Sequence, residues 1–277
     1  MADDIRETWD EISRHYGDYG SPLRPSSEDI AIFCRTVERW HSAAGRNDTI
    51  RLFLCGVTPD IASIRWPFAY ELTAMDRVES MVRYVWPGDI PGVRRALVGD
   101  WLTPGMPAQS RDVVTGDGGF VFFDYPNGQR ALAASMRNLL RPDGLFYYRL
   151  YTRPAQTETL GQIVSDAGAG LVESFHAFKW RVAMALQPDS RTGVKLDDVW
   201  QACTDARIDR ERLPQPGWSP AAVGTIRFYR GRQARLWFPT LDEFRNVLSD
   251  DFEAVAVQYG HYELAERCPI VTARPRS

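Results

Sequence analysis

Apolar positions recur along this chain in two rhythms. Ile5, Trp9, Ile12 and Tyr16 fall at helical spacing, which predicts a short amphipathic helix over 5–16. The stretch from Gly17 to Pro25 is dense in Gly and Pro and predicts a loop. Ser26 or Ser27 is placed to cap a second helix, with Glu28 and Asp29 in its first turn. That helix is expected to run to about Ala43 on Ile30, Ile32, Phe33, Val37 and Trp40. From Thr49 the rhythm changes to short apolar runs. Ile50 to Cys55 reads as a buried parallel strand stopped by Gly56. Further strands are expected at 70–75, 94–99, 112–115 and 145–151, alternating with helices at 60–66, 78–85 and 127–140. In the last of these helices Leu132, Met136, Leu139 and Leu140 share one face.

Alternation of strand and helix predicts βαβ units, and so a doubly wound, mostly parallel α/β sheet covered on both faces. Residues 152–250 are less regular. Helices are expected near 157–167, 175–187, 196–206 and 241–249, with Pro/Gly-rich connections at 213–220, and together they read as a helical cap inserted on the sheet. Residues 252–259 and 270–273 are strand-like and would close the sheet as an antiparallel pair. The expected organisation is an N-terminal helical segment (1–47), an α/β core (48–151), a cap (152–250) and C-terminal strands (251–277).

Composition narrows the function classes. Across 277 residues the apolar fraction is an ordinary 44%, enough for a full core, and the net charge is −3. No block of Lys and Arg is present, so neither nucleic acid nor an anionic membrane is an expected partner. Cys34, Cys55, Cys203 and Cys268 stand singly, without the spacing of a zinc site, which suits reduced thiols in a cytoplasmic protein and no metal. The start, Met1-Ala2-Asp3-Asp4, is acidic and lacks the apolar stretch of a signal peptide. No apolar run reaches the roughly 18 residues that span a bilayer.

In an open α/β sheet, ligands bind beyond the carboxyl ends of the strands, where strand order reverses. Here those ends read Gly56-Val57-Thr58-Pro59, Asp76, Gly99-Asp100-Trp101 and Asp117-Gly118-Gly119, so three of the four present an Asp. Asp76 lies about twenty residues after the glycine turn, where a carboxylate can accept hydrogen bonds from two ribose hydroxyls. It can equally cap the following helix. Asp100 can accept from an exocyclic adenine amine or cap a turn, while Trp101 offers an aromatic face or a backbone N–H.

Together with Leu140-Arg141-Pro142-Asp143-Gly144-Leu145 before the fifth strand, these segments resemble the class I S-adenosylmethionine-dependent methyltransferases over about 48–151. The resemblance implies a Rossmann-like methyltransferase fold with S-adenosylmethionine as cofactor. It places the methionine part at Gly56, with Thr58 and Pro59 in the same turn, the ribose at Asp76 and the adenine at Asp100, beside which Trp101 stands as a further candidate cofactor contact. The first motif departs from the family's Gly-x-Gly-x-Gly with a preceding acid. Only Gly56 remains, Pro59 replaces a glycine, and Phe53 or Leu54 stands at the acidic position. Asp117 beside Gly118, or a group from the Gly17–Pro25 loop, can then receive the methionine ammonium.

For the acceptor, a small molecule is expected under the cap. His176, within Ser174-Phe175-His176-Ala177-Phe178-Lys179-Trp180, is the first candidate base, with His15 and His261 as rivals. Tyr16, Tyr19, Arg149 and Arg153 are candidate acceptor contacts, the two arginines steering an acidic group. Two other readings remain open: a protein that binds S-adenosylmethionine or S-adenosylhomocysteine without turnover, and a nicotinamide-dependent reductase. The lack of GxGxxG argues against the latter, because Pro59 has no N–H to offer a pyrophosphate.

Overall fold

The computed structural model describes residues 2–45, 48–205 and 218–276. Two helices come first, α1 (Ala2–Ser13) and α2 (Ser27–Ala44). Ser26 caps α2 in a reciprocal box with Asp29, and Gly45 ends it in the left-handed conformation. The core then alternates as expected: β1 (Ile50–Cys55), α3 (Pro59–Ala62), β2 (Tyr70–Asp76), α4 (Glu79–Tyr84), β3 (Arg94–Val98), β4 (Arg111–Asp117), α5 (Asn127–Leu139) and β5 (Leu140–Arg149).

The cap follows as α6 (Leu160–Gly168), α7 (Phe175–Leu186), β6 (Val194–Lys195), α8 (Leu196–Asp205), α9 (Pro220–Gly224), a 3-10 turn at Thr225–Tyr229, β7 (Arg235–Leu236) and α10 (Leu241–Leu248). β8 (Phe252–Gln258) and β9 (Ile270–Pro275) complete the chain.

Seven strands form one sheet in the order β3-β2-β1-β4-β5-β9-β8. β1 pairs in parallel with both β2 and β4, so the order reverses between β1 and β4. β9 runs antiparallel to both β5 and β8, the closing pair expected from the sequence. Alternate residues of β1 serve opposite faces. Leu52 and Leu54 pack with Phe33 and Val37 of α2, while Phe53 and Cys55 pack with Leu132 and Met136 of α5. A third core lies above the strand ends, where Ile12 and Tyr19 join Phe178, Trp180 and Trp218. The N-terminal segment and the cap therefore share one apolar interior.

Several boundaries differ from expectation for identifiable reasons. The helix expected at 60–66 is a single turn, α3, because Pro67 disfavours helical backbone at Trp66. β5 starts at Leu140 rather than 145 and carries Pro142-Asp143-Gly144 within the strand. Pairing with β4 shifts register between Arg111 and Val113, an irregularity that accommodates a proline without an N–H. The cap is not purely helical, since β6 and β7 form a small antiparallel pair too short to leave an alternating pattern. Residue 206 of the expected 196–206 helix, and 213–217 of the expected connection, lie outside the described residues. Among the described residues no helix is long and apolar enough to cross a membrane.

Candidate functional site

The carboxyl ends of β1, β2 and β4 open into a cavity that runs on beneath α1 and the cap. At its sheet end Gly56 turns the chain with φ +97°, a conformation that favours glycine, and its N–H donates to the Met75 carbonyl at 2.7 Å. Thr58 and Pro59 stand at the start of α3. Asp76 projects from the end of β2. One carboxylate oxygen accepts from the Val78 N–H at 2.9 Å, which fixes the turn before α4 without capping the helix itself, while the other lies toward the Gly56 turn. Burial raises Asp76 to about 6, against the opposing pull of the Val78 N–H and Arg77.

Asp100 also borders the cavity, and both its oxygens have protein partners: the Arg77 guanidinium at 2.6 Å and the Leu102 N–H at 3.0 Å. Trp101 uses its indole N–H on the Met75 carbonyl at 2.6 Å, which leaves its ring as the surface facing the cavity. Asp117, at the end of β4, is held by Arg149 Nε at 2.6 Å. Gly118 is left-handed, and a Cβ there would run into the Tyr151 ring, so its glycine has a packing reason.

The other end of the cavity is aromatic. Tyr16 and Tyr19 line it as expected, and so does Trp180 from the cap segment around His176; Trp9, Phe122 and Tyr229, which the sequence did not mark as cavity residues, join them. The helical spacing of Ile5, Trp9 and Ile12 carried a usable signal, because that apolar face had to cover something. Lys179, also missed, sits behind this lobe.

Three expected contacts lie elsewhere. Arg149 is buried and is not among the residues lining the cavity. Its guanidinium donates to the Pro22 carbonyl (2.9 Å), Tyr151 Oη (3.1 Å) and Tyr262 Oη (3.1 Å), and stands 3.8 Å from Asp29. Burial opposes its charge, and Asp117 more than restores it. With its donors spent inside the protein, it anchors the structure and does not reach the cavity.

Arg153 points to Ser190 Oγ (3.2 Å) and Glu243 (3.9 Å), also outside the lining. His176 is buried with Nε2 3.0 Å from the Asp18 carbonyl and its ring stacked on Tyr19 at 5.5 Å. Burial lowers it to about 3, so it is neutral and turned from the cavity, where it braces Tyr19. His15 and His261 lie at the surface beside Asp18 and Glu28. Among the described residues no group of three His, Cys, Asp or Glu could hold a metal ion.

No family model and no curated protein matches the sequence. Solved structures do match in shape. A Burkholderia thailandensis 1,6-didemethyltoxoflavin-N1-methyltransferase, solved with 1,6-didemethyltoxoflavin and S-adenosylhomocysteine, is 15% identical with a TM-score of 0.53, over 100% of this chain and 89% of that one. The fold is that of the class I methyltransferases. The CurJ carbon methyltransferase gives 0.54 at 13% identity over 92% of this chain, which spans 57% of that longer protein. A protein described as a putative zinc-dependent alcohol dehydrogenase from Rhodobacter sphaeroides gives 0.63 at 14% identity, over 99% of both chains. At such identities the likeness concerns the methyltransferase fold, and the chemistry rests on the cavity.

Proposed function

We propose that this chain binds S-adenosylmethionine across the ends of β1, β2 and β4 and transfers its methyl group to a small molecule held in the aromatic lobe. The observation that carries this reading is the continuity of the two ends. Gly56, Asp76, Asp100 and Trp101 line the same cavity as Tyr16, Tyr19, Trp180 and Tyr229. The sheet end suits a nucleoside without phosphate. Pro59 has no N–H for a pyrophosphate, and Asp76 keeps one carboxylate oxygen free for ribose hydroxyls.

Asp100 reaches the adenine amine while held rigid by Arg77, and the Trp101 ring packs beside the base. Asp117 borders the cavity where β4 ends and takes the ammonium of the methionine part, in place of the acid absent from β1.

When bound, the cofactor supplies a methyl group already activated by its sulfonium. The protein's part is alignment and exclusion of water, which together can supply several kcal/mol. Trp9 meets Phe122 edge-to-face at 5.3 Å and Tyr151 meets Trp180 the same way at 5.3 Å, so the lobe is walled by rings fixed against one another. Titration calorimetry with S-adenosylmethionine, S-adenosylhomocysteine and NADH tests the reading. Binding of the first two and not of NADH supports it. Binding of NADH alone overturns it, and adenosyl binding with no methyl transfer to any of a panel of phenols, acids and amines reduces it to a binding protein.

A further inference from the structure

Behind the aromatic lobe sits an ammonium with no acid to match it. Lys179 of α7 is fully buried, and its Nζ donates to Thr225 Oγ1 at 3.0 Å. It lies over the rings of Tyr19 (5.0 Å), Tyr229 (5.1 Å) and Phe175 (5.9 Å). Among the described residues no carboxylate pairs with it. The groups that face it from each packed element are neutral at physiological pH. Cys203 of α8 is held as a thiol, pushed up to about 12 by burial. Tyr229 and Tyr19 are raised by burial, and His176 on its own helix is uncharged. A buried cation without a counter-charge is costly, and hydrogen bonding to one hydroxyl offsets little of that cost.

Tyr19 and Tyr229 are also walls of the cavity, so a single layer of rings separates the ammonium from whatever occupies the lobe. The carboxylates that border the cavity, Asp76, Asp100 and Asp117, lie at its sheet end, where Arg77 pairs with Asp100 and Arg149 with Asp117.

We propose that the acceptor is a planar organic anion, an aromatic carboxylate or an ionised phenol or enol, which the Lys179 ammonium attracts into the lobe through the Tyr19 and Tyr229 rings. The inference rests on the methyltransferase reading of the cavity. It also accounts for the lobe's lining, which among the described residues includes no His and no carboxylate at the aromatic end. An anion brings its own electron pair. That pair forms the new bond to the methyl carbon while the S–C pair returns to sulfur, so sulfonium and anion become a thioether and a neutral ester or ether. No proton has to be removed, and the neutral product loses its attraction to Lys179, which favours release.

The test uses the full chain saturated with S-adenosylhomocysteine and two probes of matched shape, 2-naphthoate and 2-naphthamide. Wild type should bind naphthoate about tenfold more tightly than naphthamide, and Lys179→Met should erase the preference while leaving naphthamide binding within about twofold. Burial lowers Lys179 to about 7, so at about pH 8 naphthoate should draw a proton onto the protein. Calorimetry in buffers of different ionisation enthalpy reads that uptake in wild type alone, whatever the fate of the variant.

Equal affinities, absent proton uptake, no naphthoate binding, or a preference that survives Lys179→Met and vanishes in Arg6→Gln at the cavity rim would each overturn the proposal. Failure to bind S-adenosylhomocysteine at all would instead strike the methyltransferase reading.

Discussion

Asp76 is held between two demands. Its carboxyl is half-buried and raised to about 6, so the ionised form that a ribose needs is the form the empty fold disfavours. A carboxyl raised in the folded state costs stability above its folded pKa and nothing below the unfolded one, so the penalty grows as pH climbs from about 4 to about 6. Asp76→Asn should therefore stabilise the ligand-free protein near pH 7 by about 1–2 kcal/mol, less than the full shift because the group borders the open cavity. The same change should weaken S-adenosylhomocysteine by more than about tenfold, since a charge-assisted pair is lost. Thermal melts at pH 4 and pH 7 with calorimetry check both, and unchanged affinity would remove Asp76 from the ribose.

His176 runs the other way. A base lowered from 6.5 to about 3 costs nothing while neutral, and destabilises the fold as pH falls through that window. His176→Gln should lose up to about 4 kcal/mol less than wild type between pH 6.5 and pH 3 in urea titrations. The acids at the strand ends were legible in the sequence because a strand's last residue must face the sheet's ligand edge. The directions of His176, Arg149 and Arg153 were not, because polarity records that a side chain needs partners but not which side of the backbone supplies them.

At the scale of elements, α1 and the following loop line the aromatic end of the cavity. α1 packs on α4 and on the Thr225–Tyr229 turn, and Arg232 of the cap reaches Glu7 at 2.7 Å and Glu11 at 3.3 Å. These are surface pairs, worth little each and weakened by salt. Adding S-adenosylhomocysteine should slow hydrogen exchange in residues 16–25 as well as at the strand ends, because Tyr16, Tyr19 and Leu23 line the cavity. Protection confined to the strand ends would make this segment scaffold. The long periodic elements, α2 and α5, were legible almost to the residue. The β6–β7 pair and the proline inside β5 were not, since two-residue strands carry no period and a bulge depends on the register of a neighbour distant in sequence.

The whole molecule is tied at Arg149, which gathers Pro22, Asp29, Asp117, Tyr151 and Tyr262 from across the chain. Arg149→Met should cost about 3–5 kcal/mol in urea unfolding by stranding two buried acids, and adding Asp117→Asn should recover part of that loss. A different consequence follows from strand order. β9 is the latest described strand to leave the ribosome, yet it is interior, wedged between β5 and β8. Until residues 270–275 emerge, β5 presents an unpaired edge carrying Phe146 and Tyr148, which is a template for strand addition by another chain. Until that segment is in place the nascent sheet stays open and adhesive along β5. Its yield in the cell should thus depend on chaperones that shield that edge during synthesis, even where the finished molecule is stable.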